Sequence, residues 1–432
     1  MIYFNIRKDK IEDNTCCKQE SAAMSSGSVM EQGGESGINR TGFIKGRQKK
    51  ALLFVLMLLI ASIFIPGPGE GGAFHSGAVM TECPECHTGN GDGFTLRGVD
   101  LGSTCLRCHQ ATDVVDNPTW YYVATPDAKL TKGKPPVQLT PGGDFAYLKK
   151  DYSWSLPGGE TGTSFGYKHG HNVVAQSYGY FSDSTKITAP GGEYPANYLT
   201  CTSCHNPHAI ISQVTVTSFT GSYRLLGGTG YAPKMIPGVN AFKADTPVAV
   251  SPSQYNRTEA LTDTRIAYGK GMSEWCMNCH PNVGGHRAGN TVRFPQQIIN
   301  NYNSYIKTGD ASGNSKSSYT SLVPFEEGIG DAYTLSSHAD ITGQYKNGPD
   351  ANSNVMCLTC HRAHASAFDH IMRWDTESQY IVYSGIYPGM DNGSQEARGR
   401  TASELQQAYY GRPSSSFANG QKSLCGKCHA SD

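Results

Sequence analysis

Few stretches of this chain repeat hydrophobic positions with the period of a helix or a strand. Residues 295–308 carry apolar side chains at helical spacing between Pro295 and Gly309, and they predict a helix. Residues 403–410 predict a second helix, and the alternating Val and Thr of residues 213–219 predict a short strand. Turn sequences such as Pro-Gly-Gly occupy much of the remainder. The pattern therefore predicts a mostly irregular fold with few short helices and minimal strand.

The N-terminal part has the organisation of a targeting segment. Residues 51–65 form an apolar run that follows several basic residues and precedes small residues at a cleavage position, which is typical of a signal peptide. We assign the signal peptide to residues 46–73, with residues 1–45 as a non-structural upstream extension and n-region. Residues 74–432 are then a single domain. An uncleaved membrane anchor is the alternative, although the run is short for a membrane span.

Composition adds a constraint on how the domain is stabilised. The chain contains 50 glycines and 22 prolines, and only 38% of its residues are hydrophobic, which is poor for a large core made of side chains alone. Residues 74–432 hold 27 basic and 29 acidic side chains, a formal charge of −2. There is no basic patch of the kind that binds nucleic acid and no further hydrophobic span. We expect apolar cofactors to supply the missing core.

The cysteines indicate which cofactor. The sequence C-x-x-C-H, the signature of c-type haem attachment, occurs six times and uses twelve of the fourteen cysteines. The six motifs are Cys83/Cys86/His87, Cys105/Cys108/His109, Cys201/Cys204/His205, Cys276/Cys279/His280, Cys357/Cys360/His361 and Cys425/Cys428/His429. On a helical turn both thiols can bind the haem while the histidine lies under the iron. A single motif could belong to a zinc site or a disulfide, but six copies favour six haem c groups.

The first cysteines of successive motifs are separated by irregular intervals of 22, 96, 75, 81 and 68 residues, so the chain is not a solenoid. The first two haems are close in sequence and are expected to be in contact. Attachment of haem through thioethers takes place outside the cytoplasm, which agrees with the targeting segment. We therefore predict a secreted protein that passes through the periplasm.

The function depends on the second axial ligand of each iron. Eight histidines lie outside the motifs: His75, His169, His171, His208, His286, His338, His364 and His370. His208 and His364 each follow a proximal histidine by three residues, so each is placed to reach another haem. His169 and His171 share a face in an extended chain and compete for one iron. His75, His286 and His338 are needed to complete the count, and His370 has the weakest support.

Two classes of function follow from the ligand count. If all six irons have two histidines, no iron is open to substrate and the protein transfers electrons. An iron without a distal ligand would instead favour a multihaem oxidoreductase acting on a small oxyanion. All six proximal positions are histidine, which removes the version of such an enzyme that uses a proximal lysine. A monomeric periplasmic electron shuttle is the further alternative.

Several segments also carry a family resemblance: 74–77, 140–145, 170–172, 188–197, 223–230, 255–259, 271–276, 361–365 and 408–412. In these segments the chain resembles the OmcS-type hexahaem c-type cytochromes, the outer-surface proteins that polymerise into nanowires. The resemblance implies bis-histidine haems in a continuous stack, head-to-tail homopolymers outside the cell, and electron transfer from upstream cytochromes to external acceptors. By position it favours six distal ligands over His169 and His370, namely His75, His171, His208, His286, His338 and His364.

One position departs from that family. There the first haem motif is followed, three residues later, by a histidine associated with a haem of the neighbouring subunit. This chain has Asn90 at the position, and the segment before Cys105 is shorter. The specific link between subunits is therefore open at the level of sequence, and another histidine could replace it.

Overall fold

A computed structural model gives the fold. It describes residues 83–89, 95–110, 122–209, 212–215, 218–233, 240–251, 266–283, 288–289, 292–294, 296, 299, 323–339, 347–389, 396–417 and 421–427. The assigned signal peptide, His75, Asn90, His286, Cys428 and His429 lie outside these residues, as does most of the helix predicted at 295–308. Within the described parts of the chain, no helix is both long enough and apolar enough to cross a membrane.

The α-helices of the described residues are short, and four of the six contain cysteines of haem motifs. They are α1 (Cys83–Cys86), α2 (Leu101–His109), α3 (Met272–Cys276), α4 (Ala332–Leu335), α5 (Cys357–Cys360) and α6 (Ala402–Ala408). Helix α6 confirms the helix predicted at 403–410. It begins with a capping box in which Thr401 and Glu404 satisfy each other's backbone N–H groups.

The strands form small antiparallel pairs and no extended sheet in the described residues. They are β1 (His87–Thr88), β2 (Thr95–Leu96), β3 (Tyr152–Ser155), β4 (Thr161–Ser164), β5 (Ser212–Thr215), β6 (Ser218–Gly221), β7 (Val248–Val250), β8 (Ala267–Lys270), β9 (Tyr380–Val382) and β10 (Gln421–Lys422). They pair in sequence order, β1 with β2, β3 with β4, β5 with β6, β7 with β8 and β9 with β10. The single strand predicted at 213–219 is wrong, because β5 and β6 form a hairpin with Thr215 opposite Ser218.

Aromatic side chains make up much of the largest buried cluster. Tyr387 stacks on Tyr409 with ring centroids 5.1 Å apart, and Phe368 lies 5.6 Å from Tyr409 on the other side. Trp374 is almost fully buried in the same cluster and donates from its indole N–H to the Cys425 sulfur at 3.3 Å. The aromatic cluster thus reaches directly to a haem-motif cysteine, and the core and the cofactor sites are continuous.

One close approach of two backbones fixes the segment that carries His364. The backbone N–H of His364 donates to the Gly142 carbonyl oxygen at 2.7 Å. A Cβ atom on Gly142 would lie 2.7 Å from the His364 Nδ1 atom, and one on Gly143 would lie 1.7 Å from the Ala365 carbonyl oxygen. Gly143 also has a φ of +90°, which side chains rarely adopt. Gly142 and Gly143 are therefore required because a Cβ at either position would collide with the segment that carries His364. Gly143 is also required because of its positive φ.

We expect Gly143→Ala to destabilise the protein strongly, and Gly158→Ala is the matched control. Gly158 has almost the same φ, +91°, but no atom lies within 4 Å of an added Cβ. Gly158→Ala should lower the free energy of unfolding by about 1–2 kcal/mol, because alanine disfavours a positive φ. Gly143→Ala should lower it by that amount and by about 1–3 kcal/mol more, because the added Cβ overpacks the contact with Ala365. Chemical unfolding of the two variants measures the difference, and equal losses would refute the close approach.

Candidate haem-binding sites

The haem motifs adopt the local geometry that covalent attachment needs. In α2, the acceptor Asp100 caps the helix by binding the Ser103 N–H at 2.6 Å, and Cys105, Cys108 and His109 follow on the last turns. The third motif begins with a 3-10 turn over Cys201–Ser203, and the sixth includes Cys425 in a 3-10 turn over Leu424–Lys427. Residues three and four apart share a face of such turns. The two thiols and the histidine can therefore reach one porphyrin.

Neighbouring motifs touch one another in the order of the sequence. The Arg107 guanidinium of the second motif donates to the Glu85 carbonyl oxygen of the first at 3.3 Å. The side chains of Cys105 and of Cys201 in the third motif lie close enough to interact. The side chains of Cys204 and Cys279 lie close enough for their charges to interact. Four successive motifs thus lie one beside the next.

The fourth and fifth motifs are joined in the same way. The side chains of Cys276 and Cys357 lie close enough to interact, and the Cys357 N–H donates to the Ser273 hydroxyl at 3.0 Å. Trp374, which donates to the Cys425 sulfur, is preceded by Arg373, whose N–H donates to the Cys360 carbonyl oxygen at 2.9 Å. This contact joins the fifth motif to the sixth. Contacts therefore link the motifs in sequence order, the sixth through its described cysteine Cys425, and we call this order a single file.

The Cys204 and Cys279 sulfurs lie in surroundings that favour an uncharged form. Burial, with a contribution from the nearby Cys279, raises the pKa of the Cys204 thiol to about 12. Burial also raises the pKa of the Cys279 thiol to about 11. A thioether sulfur is uncharged and apolar, so these positions suit the attached form of the cysteine.

Three proximal histidines face a distal candidate across a gap that matches one metal ion. The ring centroids are 6.2 Å apart for His87 and His208, 6.3 Å for His205 and His364, and 6.1 Å for His280 and His171. Two imidazoles bound to opposite sides of one iron by bonds of about 2 Å have centroids roughly 6 Å apart, because each ring centre lies about 1 Å behind its nitrogen. The donor sets of the first, third and fourth motifs therefore fit a six-coordinate haem iron.

Hydrogen bonds at Nδ1 hold three of these six rings. The Nδ1 atom of His205 contacts the Arg224 carbonyl oxygen at 2.8 Å, and that of His280 contacts the Pro190 carbonyl oxygen at 2.8 Å. The distal candidate His171 contacts the Ala363 carbonyl oxygen through Nδ1 at 2.7 Å. A carbonyl partner requires a proton on Nδ1 and leaves the Nε2 lone pair for a metal.

Burial keeps the His171 and His364 rings neutral, which a metal ligand requires. Burial and the neighbouring His280 lower the pKa of His171 to about 4. Burial and the neighbouring His205 lower the pKa of His364 to about 3. The His364 ring also stacks on Phe145, with centroids 4.7 Å apart and planes 22° from parallel. Phe145 was not singled out from the sequence, because nothing in its local pattern indicates this contact.

Two pairs of residues with positive φ support the proximal histidines of the third and fifth motifs. Arg224 and Leu225 have φ values of 49° and 57°, and His370 and Ile371 both have φ values of 58°. In each pair the first residue presents its carbonyl oxygen to a proximal ring, Arg224 to His205 at 2.8 Å and His370 to His361 at 2.9 Å. Left-handed conformations at such residues persist only where surrounding contacts hold them.

We expect His370→Val to raise the reduction potential of the haem served by His361. Valine strongly disfavours the left-handed conformation, so the carbonyl oxygen should move away from the His361 ring and weaken a bond that makes the imidazole a better electron donor. His370→Gly adopts the conformation freely and should leave the potential unchanged. Spectroelectrochemical titration compares the two variants, and equal potentials would show that the carbonyl has no such role.

The remaining histidines occupy different surroundings. His169 is fully buried, with Nδ1 at 3.0 Å from the Tyr147 carbonyl oxygen and Nε2 at 2.7 Å from the Ser164 hydroxyl, so both nitrogens are engaged in structural hydrogen bonds. His370 is exposed and contributes its carbonyl oxygen. His338 ends a 3-10 turn, Ser336–His338, with Nδ1 at 3.4 Å from the Glu327 carboxylate. A carboxylate partner of this kind often orients a ligating histidine.

A helical C-x-x-C-H turn repeated in single file, with histidine pairs spaced for iron, defines a multihaem c-type cytochrome. No family model matches the chain. C-type cytochrome OmcS of Geobacter sulfurreducens is 42% identical over 438 residues, which cover 89% of this chain and 100% of that protein. The chain therefore belongs to the OmcS family of c-type cytochromes.

Two solved structures of that relative share the fold. A cryo-EM structure of OmcS nanowires from Geobacter sulfurreducens matches with a TM-score of 0.74 and 42% identity, covering 81% of this chain and 98% of the other. A structure of the outer membrane cytochrome S filament from the same organism matches with a TM-score of 0.73 and 42% identity, covering 84% and 99%. The predicted fold class, a mostly irregular chain that carries haem motifs, is confirmed.

Proposed function

We propose that the protein transfers electrons outside the cell through six covalently bound haem c groups, as a subunit of a homopolymeric filament. The observation that carries the proposal is the set of three histidine pairs, each spaced for one iron, within six motifs that touch in sequence order. The filament structures of the OmcS relative support the assembly. Upstream cytochromes as donors and external acceptors complete the proposed route, which begins with export through the periplasm.

In this proposal the cysteines of each motif hold the porphyrin and the histidines hold its iron. We assign the axial pairs His87 with His208, His205 with His364, and His280 with His171. His109, His361 and His429 are the proximal ligands of the other three haems, and His75, His286 and His338 are proposed as their distal ligands. The haem iron, when bound, supplies the one-electron redox chemistry.

The protein's own contribution is to fix positions and exclude competing ligands. The carbonyl oxygens of Arg224, Pro190 and His370 hold the proximal rings in one orientation. The segment from Gly142 to Phe145 holds His364 in place. Two histidines on an iron leave no position for a substrate, so this arrangement favours electron transfer over an oxyanion reductase.

Electron microscopy and spectroscopy of material sheared from cells test the proposal together. We expect filaments that contain this protein and that show only low-spin haem by magnetic circular dichroism. Monomers in the sheared fraction and no filaments would refute the assembly. Steady turnover of nitrite or hydroxylamine by protein with a high-spin haem would refute the electron conduit and support an enzyme.

A further inference from the structure

A buried carboxyl group lies where the fourth and fifth haem motifs meet. The Glu326 Oε1 atom accepts a hydrogen bond from the Met272 N–H at 2.8 Å, at the first residue of α3, which ends at Cys276. The Glu326 backbone exchanges two hydrogen bonds with Asn354, three residues before Cys357, at 3.0 and 2.8 Å. Glu326 is thus fixed to the N-terminal side of both attachment helices, α3 and α5.

The environment of this carboxyl group disfavours its charge. Glu326 has 0% of its surface exposed, and its Oε2 atom has no hydrogen-bond partner among the residues that the structure describes. A buried carboxylate with half of its hydrogen-bonding capacity unused is destabilised relative to the neutral acid. Burial raises the pKa of Glu326 to about 7, although the Met272 N–H lowers it in part.

Among the other charged and polar groups around Glu326, some raise its pKa and others lower it. Glu274 on α3 is half-buried, and its negative charge further raises the Glu326 pKa, as does the nearby Cys357 while it is an unattached thiolate. The nearby Asn354 side-chain amide acts in the opposite direction and lowers the Glu326 pKa in part. Arg293 belongs to the strand segment bridged to Asn354 and donates from its guanidinium to the Asn352 carbonyl oxygen. Attachment of haem to Cys357 removes the thiol and leaves the two glutamates as the acidic pair.

We propose that Glu326 binds a proton from solvent when an electron reaches the haems attached at Cys276/Cys279 and Cys357/Cys360. With haem bound, an electron from the adjacent haem in the file would reduce Fe(III) to Fe(II), and the Glu326 carboxylate would take one proton from solvent to become the neutral acid. The added negative charge near a buried carboxylate makes protonation favourable, because charges interact strongly away from water. This inference rests on the proposed electron-transfer function, and it couples uptake of a proton to the transfer of an electron.

The test is a redox titration of the haem-loaded protein, followed by haem absorbance, from about pH 5.5 to 8.5. In the wild type, the midpoint potentials of two haems should fall as the pH rises through the pKa of Glu326, because reduction takes up a proton. Glu326→Gln should abolish this dependence. Glu377→Gln, which removes an exposed carboxylate paired with Arg398, should retain it. The same pH dependence in Glu326→Gln as in the wild type would overturn the inference.

An infrared measurement keeps the proposal testable if Glu326→Gln does not fold. The reduced-minus-oxidised spectrum of the wild type near pH 7 should gain a band of a protonated carboxyl group, and the band should be absent at pH 9. A spectrum without such a band would overturn the inference. A wild-type protein whose haem absorbance shows no reversible reduction would instead refute the proposed function, so the two failures are distinguishable.

Discussion

His364→Ala is expected to convert one of the six haems from low spin to high spin. His364 lies across a 6.3 Å centroid gap from His205 and is held by Phe145 and the Gly142 carbonyl oxygen. Alanine cannot bind iron, so the haem attached at Cys201 and Cys204 should become five-coordinate or bind water. Loss of the stacking contact should also reduce stability by about 1 kcal/mol. Electron paramagnetic resonance should show a high-spin signal from one haem.

The matched control is His370→Ala. His370 lies six residues further along the same segment, but its side chain is exposed and its contribution is a backbone carbonyl oxygen. This variant should keep every haem low spin. The assignment of His364 fails if its replacement leaves the spectrum unchanged, or if His370→Ala yields the same high-spin signal.

Replacement of both Cys276 and Cys279 by serine is expected to yield a protein with five haems. These residues are the thiols of the fourth motif, and Cys276 contacts Cys357 of the fifth. Serine cannot form the thioether, so mass spectrometry of the denatured protein should show the loss of one haem mass. Because the motifs form a single file, the missing haem also interrupts the route between the third and fifth positions. Electron transfer along the filament should therefore fall steeply.

The control for this variant is Met277→Ser, which changes an exposed residue between the two cysteines. The spacing of the C-x-x-C-H sequence is kept, so six haems should remain attached. An unchanged mass for Cys276→Ser/Cys279→Ser would show that the motif does not hold a haem. Loss of a haem from Met277→Ser would show that the two cysteines alone do not decide attachment.

The haem motifs could be predicted from sequence because their chemistry is local. Cys105, Cys108 and His109 lie within one helix, and the spacing alone places them on one face. The pairing of His171 with His280 could not be predicted, because the pair depends on a contact between the His171 ring and Ala363, 192 residues away. The sequence narrows the candidates, and only long-range packing decides which two rings face each other.

Backbone conformation accounts for the other elements that were missed. Arg224-Leu225 and His370-Ile371 adopt positive φ values that their side chains disfavour, so no local signal indicated carbonyl oxygens aimed at haem ligands. Strands β5 and β6 pair Thr215 with Ser218, and the sequence between these residues, Val-Thr, has neither the glycine nor the asparagine that usually indicates a tight turn. At the two positive-φ pairs, tertiary contacts outweigh the local conformational preference. Between β5 and β6, the local sequence does not indicate a turn.

A cryo-EM density map of the secreted protein is the most direct test of the account. It should show a filament with six haems in each subunit, with His87 and His208, His205 and His364, and His280 and His171 on opposite sides of three irons. The same map would identify the ligands of the other three irons. An iron with one of these six histidines displaced, or with an open coordination position, would contradict the account.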